Sequence, residues 1–337
     1  MLMVIFGAGA SYDSWSSRRP VEDLRTERAN NPIRPPLANE LFLNNDFFRA
    51  RVARYPDCRK LIPELEPRFD AEFSVEQQLE RIKGQADSEA IRQLTAIEHY
   101  LRVLIIDCQN AWSELTMGVS NYPTLINQIQ RSGSSCCFVT FNYDTMIEDG
   151  LAECGIQIKR MDDYPRGQFP LFKLHGSVNW ERFVEYPAPQ FPKDVESKIN
   201  PIQWAPHARP SDVIRLIGES RELIEQMPST WVPALAIPVA TKSKFVCPTS
   251  HEATLRQLIP QVTKVLVVGW RAGEQNFIEM LAGGLTHPVK TLAVCGNEKS
   301  AGVTLARLAD AGSLGDTYQD PGGFSDFVAA RRIEEFL

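Results

Sequence analysis

Met1-Leu2-Met3-Val4-Ile5-Phe6-Gly7-Ala8-Gly9-Ala10-Ser11 sets the fold class of this chain. Six apolar residues with no polar alternation, closed by glycine, read as a strand buried on both faces, the kind found in parallel sheets. Gly7 and Gly9 permit a tight turn whose backbone N–H groups can approach phosphate oxygens without obstruction from a Cβ. The same unit, an apolar strand followed by a small or polar turn, recurs four times. Cys136–Thr140 leads to Phe141-Asn142-Tyr143-Asp144, and Leu171–Leu174 to His175-Gly176-Ser177. Lys264–Val268 leads to Gly269-Trp270-Arg271-Ala272-Gly273-Glu274, and Thr291–Val294 to Cys295-Gly296-Asn297. A parallel sheet gathers the carboxyl ends of its strands on one rim, so these turns are expected to share a crevice. The expected architecture is α/β: a Rossmann-like parallel sheet with helices on both faces, in a single domain spanning 1–337.

The first turn departs from the dinucleotide fingerprint of hydride-transfer enzymes. Position 12, where a third glycine belongs, is Tyr12, and no second strand ending in an acid follows about twenty residues later. Asn31-Pro32-Ile33-Arg34-Pro35-Pro36-Leu37 cannot be a central strand, because proline removes ladder donors. An ordinary dehydrogenase is therefore disfavoured. From 38 to 131 the pattern is helical, which predicts a large insertion after the first strand. One helix is expected over Ala38–Arg49 and a second over Ser74–Lys83, with Ser74 as cap. A third carries the stripe Leu94, Ile97, Leu101, Leu104, Cys108, Trp112 and Leu115 at steps of three and four. Residues 181–212 are rich in proline and weakly periodic, and are expected to form a loop that covers the site.

A 337-residue chain with 43% hydrophobic content can bury a substantial core. Its net charge of −6, with signs mixed throughout, lacks the basic footprint of a direct nucleic-acid binder. Seven cysteines without a C-x-x-C pair argue against a disulfide framework and against a four-cysteine zinc site. No basic leader or membrane-length apolar run is present, so a cytoplasmic location without membrane attachment is expected.

Two side chains stand out as chemical. Asn142 offers an amide donor and a carbonyl acceptor, suited to a ribose hydroxyl or an attacking water. Among the five histidines, His175 alone stands at a strand's carboxyl end before glycine, where a general base for a hydroxyl or water would be placed. Asp144 has two readings, a helix cap or a ligand contact. Asn297 likewise is either a turn residue or a contact to ribose or adenine.

In order and spacing, G-A-G-A-S at 7–11, T-F-N-Y-D at 140–144, K-L-H-G-S at 173–177 and V-V-G-W with a downstream acid at 267–274 resemble the sirtuin superfamily. Within it the chain looks most like the sirtuin-like NAD hydrolases of bacterial antiphage defence systems. That resemblance implies NAD as substrate, no metal, and a dinucleotide held by Gly7, Ala8, Gly9 and Ser11, with Asp144, Ser177, Gly269 and Asn297 in supporting contacts. It makes Asn142 and His175 the catalytic pair. It also implies an NAD-depleting effector that forms a homo-oligomer and answers to a partner such as a HerA-type ATPase. The four zinc cysteines and the G-I-P-D-F-R segment of deacylating sirtuins have no counterpart here. Cleavage of the nicotinamide–ribose bond to nicotinamide and ADP-ribose is therefore the expected activity. A non-catalytic sensor of NAD or ADP-ribose and an NAD-dependent deacylase are the alternatives.

Overall fold

The structure, a computed structural model, describes residues 1–14, 34–67, 73–187, 200–219, 229–239, 244–310, 312 and 314–337. Its centre is a six-stranded sheet in the order β3-β2-β1-β7-β8-β9, parallel at every pair. The strands are β1 (Leu2–Phe6), β2 (Cys136–Thr140), β3 (Leu171–Lys173), β7 (Lys264–Val268), β8 (Val289–Val294) and β9 (Leu314–Asp320). The chain winds outward in one direction through β1, β2 and β3, and in the other through β7, β8 and β9. The switch point lies between β1 and β7.

Register fixes the rim. Phe6 pairs with both Thr140 and Val268, Thr140 with Lys173, Val268 with Val294, and Val294 with Asp320. The turns that begin at Gly7, Phe141, Leu174, Gly269 and Cys295 therefore start at one level. With strands about 4.8 Å apart, the rim is roughly 24 Å wide, enough for an extended dinucleotide. Every residue of β1 is buried. Leu2, Val4 and Phe6 meet one helical layer, while Met3 and Ile5 meet the other, which explains why the strand has no polar alternation.

The helices are α1 (Ala8–Tyr12), α2 (Asp46–Val52), α3 (Val75–Gln85), α4 (Ser88–Leu115), α5 (Asn121–Ser132), α6 (Met146–Glu153), α7 (Thr249–Leu258), α8 (Gln275–Gly284), α9 (Glu298–Ala309) and α10 (Gly323–Ala329), joined by shorter turns. Among the described residues, the segment between β1 and β2 that runs from Ala38 to Ser132 is built of helices and turns. They form their own core around Ile97, Tyr100, Leu101, Leu104 and Cys108 of α4. The single helix expected over Ala38–Arg49 is instead a 3₁₀ turn at Ala38–Glu40 followed by α2. Asn45 interrupts the run, because its side chain accepts from the Phe48 N–H and starts a new helix there.

Two further differences concern strands. The expected loop over 181–212 begins and ends in sheet: β4 (Gly176–Glu185) continues to 185 and β5 (Arg209–Leu216) starts at 209. With β6 (Ser229–Leu235) they make a separate antiparallel sheet in the order β5-β4-β6. Residues 188–199 of that expected loop, and Asn31–Ile33 of the proline segment, lie outside the described residues. Glu181 ties the small sheet to its surroundings, one carboxylate oxygen 3.4 Å from Arg102 of α4 and the other 3.2 Å from Arg215 of β5. β9 escaped the sequence reading because Leu-Gly-Asp-Thr-Tyr-Gln-Asp is an edge strand exposed along most of its length, with almost no apolar signature.

All seven cysteines are free thiols. Cys136 and Cys137 are buried in β2 with their pKa values raised by desolvation, consistent with a role as small core hydrophobes. Among the described residues no helix is long and apolar enough to cross a membrane, and no group of three or more His, Cys, Asp or Glu converges.

His251 of α7 is buried, with Nε2 3.0 Å from the Met161 carbonyl. Desolvation lowers its pKa to about 4, opposed by that carbonyl and by Asp162. A histidine with a depressed folded-state pKa binds fewer protons folded than unfolded in this range, so its contribution is complete above pH 6.5 and disappears as pH falls toward 4. Thermal unfolding followed from pH 7 to pH 4 is expected to show a falling midpoint, and His251→Asn is expected to flatten that fall.

Candidate active site

The turns on the rim enclose a cavity of about 830 Å³. Its walls include Gly7, Ala8, Gly9 and Ser11 from the first turn, Asn142 and Asp144 after β2, His175 after β3, and Gly269 and Asn297 after β7 and β8. Nine of the ten residues singled out from sequence thus border one space. Ser177 is the exception: it is fully buried at the start of β4, where its hydroxyl donates to the Tyr143 carbonyl at 3.2 Å. The pleat turns it away from the cavity, and its contact is structural.

The glycine turn is built more tightly than a phosphate cradle alone requires. The Gly7 N–H donates to the Val268 carbonyl and the Gly9 N–H to the Gly269 carbonyl, both at 3.0 Å. A Cβ on Gly7 would lie 2.5 Å from Trp270 Cα, and one on Gly9 would lie 2.9 Å from Gly269 Cα. These glycines therefore let the β1 turn and the β7 turn pack backbone against backbone. Gly269 completes the contact at φ 61°. The N–H groups of Gly7 and Gly9 are spent inside the protein.

Ser11 is also committed. Its buried hydroxyl lies 2.8 Å from the Tyr122 phenol and accepts from Asn142 Nδ2 at 3.0 Å. Asn142 Nδ2 is also 3.4 Å from the Tyr122 oxygen, and the Asn142 N–H donates to Thr140 Oγ1 at 3.1 Å. Backbone and amide of Asn142 are thus both held. Its Oδ1 is buried without a partner, on a side chain only 6% exposed. Tyr122, at the start of α5, carried no motif signal; only the fold brings it under the rim. Burial and the nearby Asp144 push its pKa well up, so it stays a neutral phenol.

Asp144 serves as a local cap, its Oδ1 accepting from the Met146 N–H at 3.1 Å while it also borders the cavity. Asn297 accepts from the Ser300 N–H at 2.8 Å and starts α9. Both residues hold a helix start and both border the cavity.

His175 stands where the two sheets join. Its carbonyl accepts from the Ala236 N–H at 2.9 Å, just past β6, and the preceding Leu174 N–H donates to Thr140 of β2. The imidazole is 3% exposed. The Phe141 ring lies 4.9 Å from it and the Tyr143 ring 6.3 Å, and the Tyr143 phenol donates to the Ala236 carbonyl at 2.6 Å. Glu274, placed only loosely by sequence, brings Oε1 to 3.8 Å from His175 Nε2. Arg34, from the proline segment, lies over the Tyr12 ring at 3.3 Å beside the cavity. Desolvation, opposed by Glu40, lowers its pKa to about 10, so it remains a cation.

Gly176, next to the histidine, sits at φ 78°, and a Cβ there would meet the Ala234 carbonyl oxygen at 1.9 Å. Gly176→Ala combines left-handed strain with a backbone clash, and is expected to cost about 3 kcal/mol, read as a lowered denaturation midpoint in urea.

No protein-family model matches the chain, and no curated protein matches it. Among solved structures the chain is similar to a Sir2 homologue–NAD complex, at 14% identity over 99% of this chain and 90% of that one, with a TM-score of 0.42. It is also similar to a mutant Sir2 homologue–ADP ribose complex, at 12% identity over 100% and 93%, with a TM-score of 0.38. A third is Sir2 with an inhibitor, an acetylated ADP-ribose and a deacetylated peptide, at 13% identity over 100% and 94%, with a TM-score of 0.40.

Proposed function

We propose that the chain binds NAD along the rim and hydrolyses its nicotinamide–ribose bond, giving nicotinamide and ADP-ribose. The observation that carries this reading is the buried, partnerless Oδ1 of Asn142 in the cavity that also holds His175. A buried acceptor left without a donor is costly, and here it is supplied once a water or ribose hydroxyl occupies the cavity. Ser11 and Tyr122 hold the amide while that donor binds.

The chemistry asks little more of the protein. Breaking the N-glycosidic bond sends its electron pair to the nicotinamide nitrogen, which is cationic in NAD and leaves neutral without a general acid. The ribose passes through an oxocarbenium-like state. Water held by Asn142 forms the new bond to the ribose carbon, and its proton passes to His175, directly or through a ribose hydroxyl. Gly7–Gly9, Gly269 and Asn297 border the remainder of the dinucleotide. In its host such an enzyme would act as an NAD-depleting effector of antiphage defence, gated by self-assembly or by a HerA-type partner; the motif order of the sequence supports this wider reading.

The test is to incubate the purified chain with NAD and separate the products. Free nicotinamide with stoichiometric ADP-ribose is expected. Tight binding without products would replace hydrolysis with sensing, and turnover only with an acylated peptide would replace it with deacylation. A single monomeric species in light scattering, alone and with a candidate ATPase, would count against gating by assembly.

A further inference from the structure

We infer that Glu274 is the positioning residue for His175: its carboxylate orients the imidazole and faces the positive charge the ring acquires when it takes a proton. The inference deepens the proposed cleavage reaction and rests on it for its kinetic half.

Glu274 is the N-cap residue of α8, a place where an acid ordinarily accepts from the first amides of its own helix. It makes no such side-chain cap. One carboxylate oxygen instead accepts the Trp270 indole N–H, and the other lies 3.8 Å from His175 Nε2. The Trp270 ring is stacked on Phe141 at 5.0 Å and 12°, and Phe141 in turn lies against the imidazole. Carboxylate, indole, phenyl and imidazole therefore form one packed unit, with His175 almost fully buried and the Glu274 side chain 15% exposed. The turn that delivers Glu274 passes through Ala272 at φ 51°, a conformation costly for a residue with a Cβ and retained here because Ala272 is buried in the packed turn.

The separation suits an ion pair and exceeds a hydrogen bond, as is common for catalytic contacts that tighten when substrate fills the site. In the step itself the proton leaves water or the ribose hydroxyl for His175, and the Glu274 carboxylate faces the imidazolium so formed. The Tyr143 phenol donates to Ala236, and burial together with the charges of Glu274, Glu76 and Glu98 keeps it protonated. Glu274 is a carboxylate at ion-pair distance from His175.

The experiment compares the wild type with Glu274→Gln and Glu274→Asp in two ways. In an NMR titration of the His175 ring, loss of the carboxylate is expected to lower the midpoint by roughly 1 unit, and aspartate to restore part of it. In nicotinamide release, Glu274→Gln is expected to lower kcat by roughly tenfold to a hundredfold with little change in KM, and to move the acidic limb of the pH profile down by the same interval. Coincident titration midpoints in wild type and Glu274→Gln overturn the inference, as does a kcat loss with an unmoved acidic limb. A wild type that shows the titration shift but cleaves no NAD supports the pair and overturns the proposed reaction, so the two failures are separate results.

Discussion

His175→Ala should reduce nicotinamide release from NAD by about 10² to 10⁴-fold while leaving the unfolding midpoint within a few degrees of wild type. His175 borders the cavity, and in the proposed reaction its imidazole is the base, so its removal would leave water to lose its proton unaided. Its structural share is small by comparison. The backbone around it is held by the Ala236 N–H and by the Leu174 N–H bond to Thr140, neither of which involves the ring. Asn142→Ala is expected to fall in the same range, because it removes the partnerless Oδ1 and frees the Ser11–Tyr122 pair from the amide it holds. Steady-state rates beside circular dichroism and thermal melts give both readings. Full activity in either variant, with the fold intact, would sink the assignment of that residue.

Lys173→Met should cost about 3–5 kcal/mol of stability, which lowers Tm by roughly 4–7 °C in a chain of 337 residues. Lys173 is 0% exposed, at the end of β3. Its Nζ donates to the Asp144 carbonyl and to both oxygens of Glu148, at 2.9 and 3.2 Å. Tyr164 donates to the same Glu148 at 3.0 Å. Methionine matches the aliphatic stem but leaves the Glu148 carboxylate desolvated with its cation gone, and the penalty for an unpaired buried charge exceeds what the intact pair contributes. Lys173→Met combined with Glu148→Gln should therefore recover part of the loss, a non-additivity expected of contacting residues. A single variant losing less than about 1 kcal/mol in urea denaturation would show that the pair is solvated in solution. The same lysine fastens the turn carrying Asp144 beneath the site, so K-L-H-G-S joins a structural anchor and a chemical group in five residues.

Local sequence was sufficient wherever a segment's environment is uniform along its length. β2 and β7 occur at the predicted residues because strands buried on both faces are unbroken apolar runs ended by turn residues. The stripe of α4 was legible because one face of a long helix stays turned inward, into the helical core at Ile97–Cys108 and into the core beside the sheet at Trp112 and Leu115. The rim followed from these, since parallel strands in register must bring their carboxyl ends together. β4–β6 and the exposed β9 were hidden, their half-buried or solvent-facing residues leaving no run or period to read.

What tertiary structure alone decided is the use of each side chain. The glycines at 7 and 9 were legible as a turn, but the atoms they make room for belong to Gly269 and Trp270, distant in sequence. Ser11 was legible as part of a binding turn, yet its hydroxyl holds Asn142 from 131 residues away. Tyr122 carried no signal, and Glu274 only a loose one, because a helix-start acid reads as a cap until the fold sets a histidine beside it. Sequence specifies where apolar runs stop and polar turns begin, through periodicity within a few residues. Which turns touch, and which donors and acceptors are already spent, depends on packing between segments far apart in the chain, and that was set only when the sheet closed.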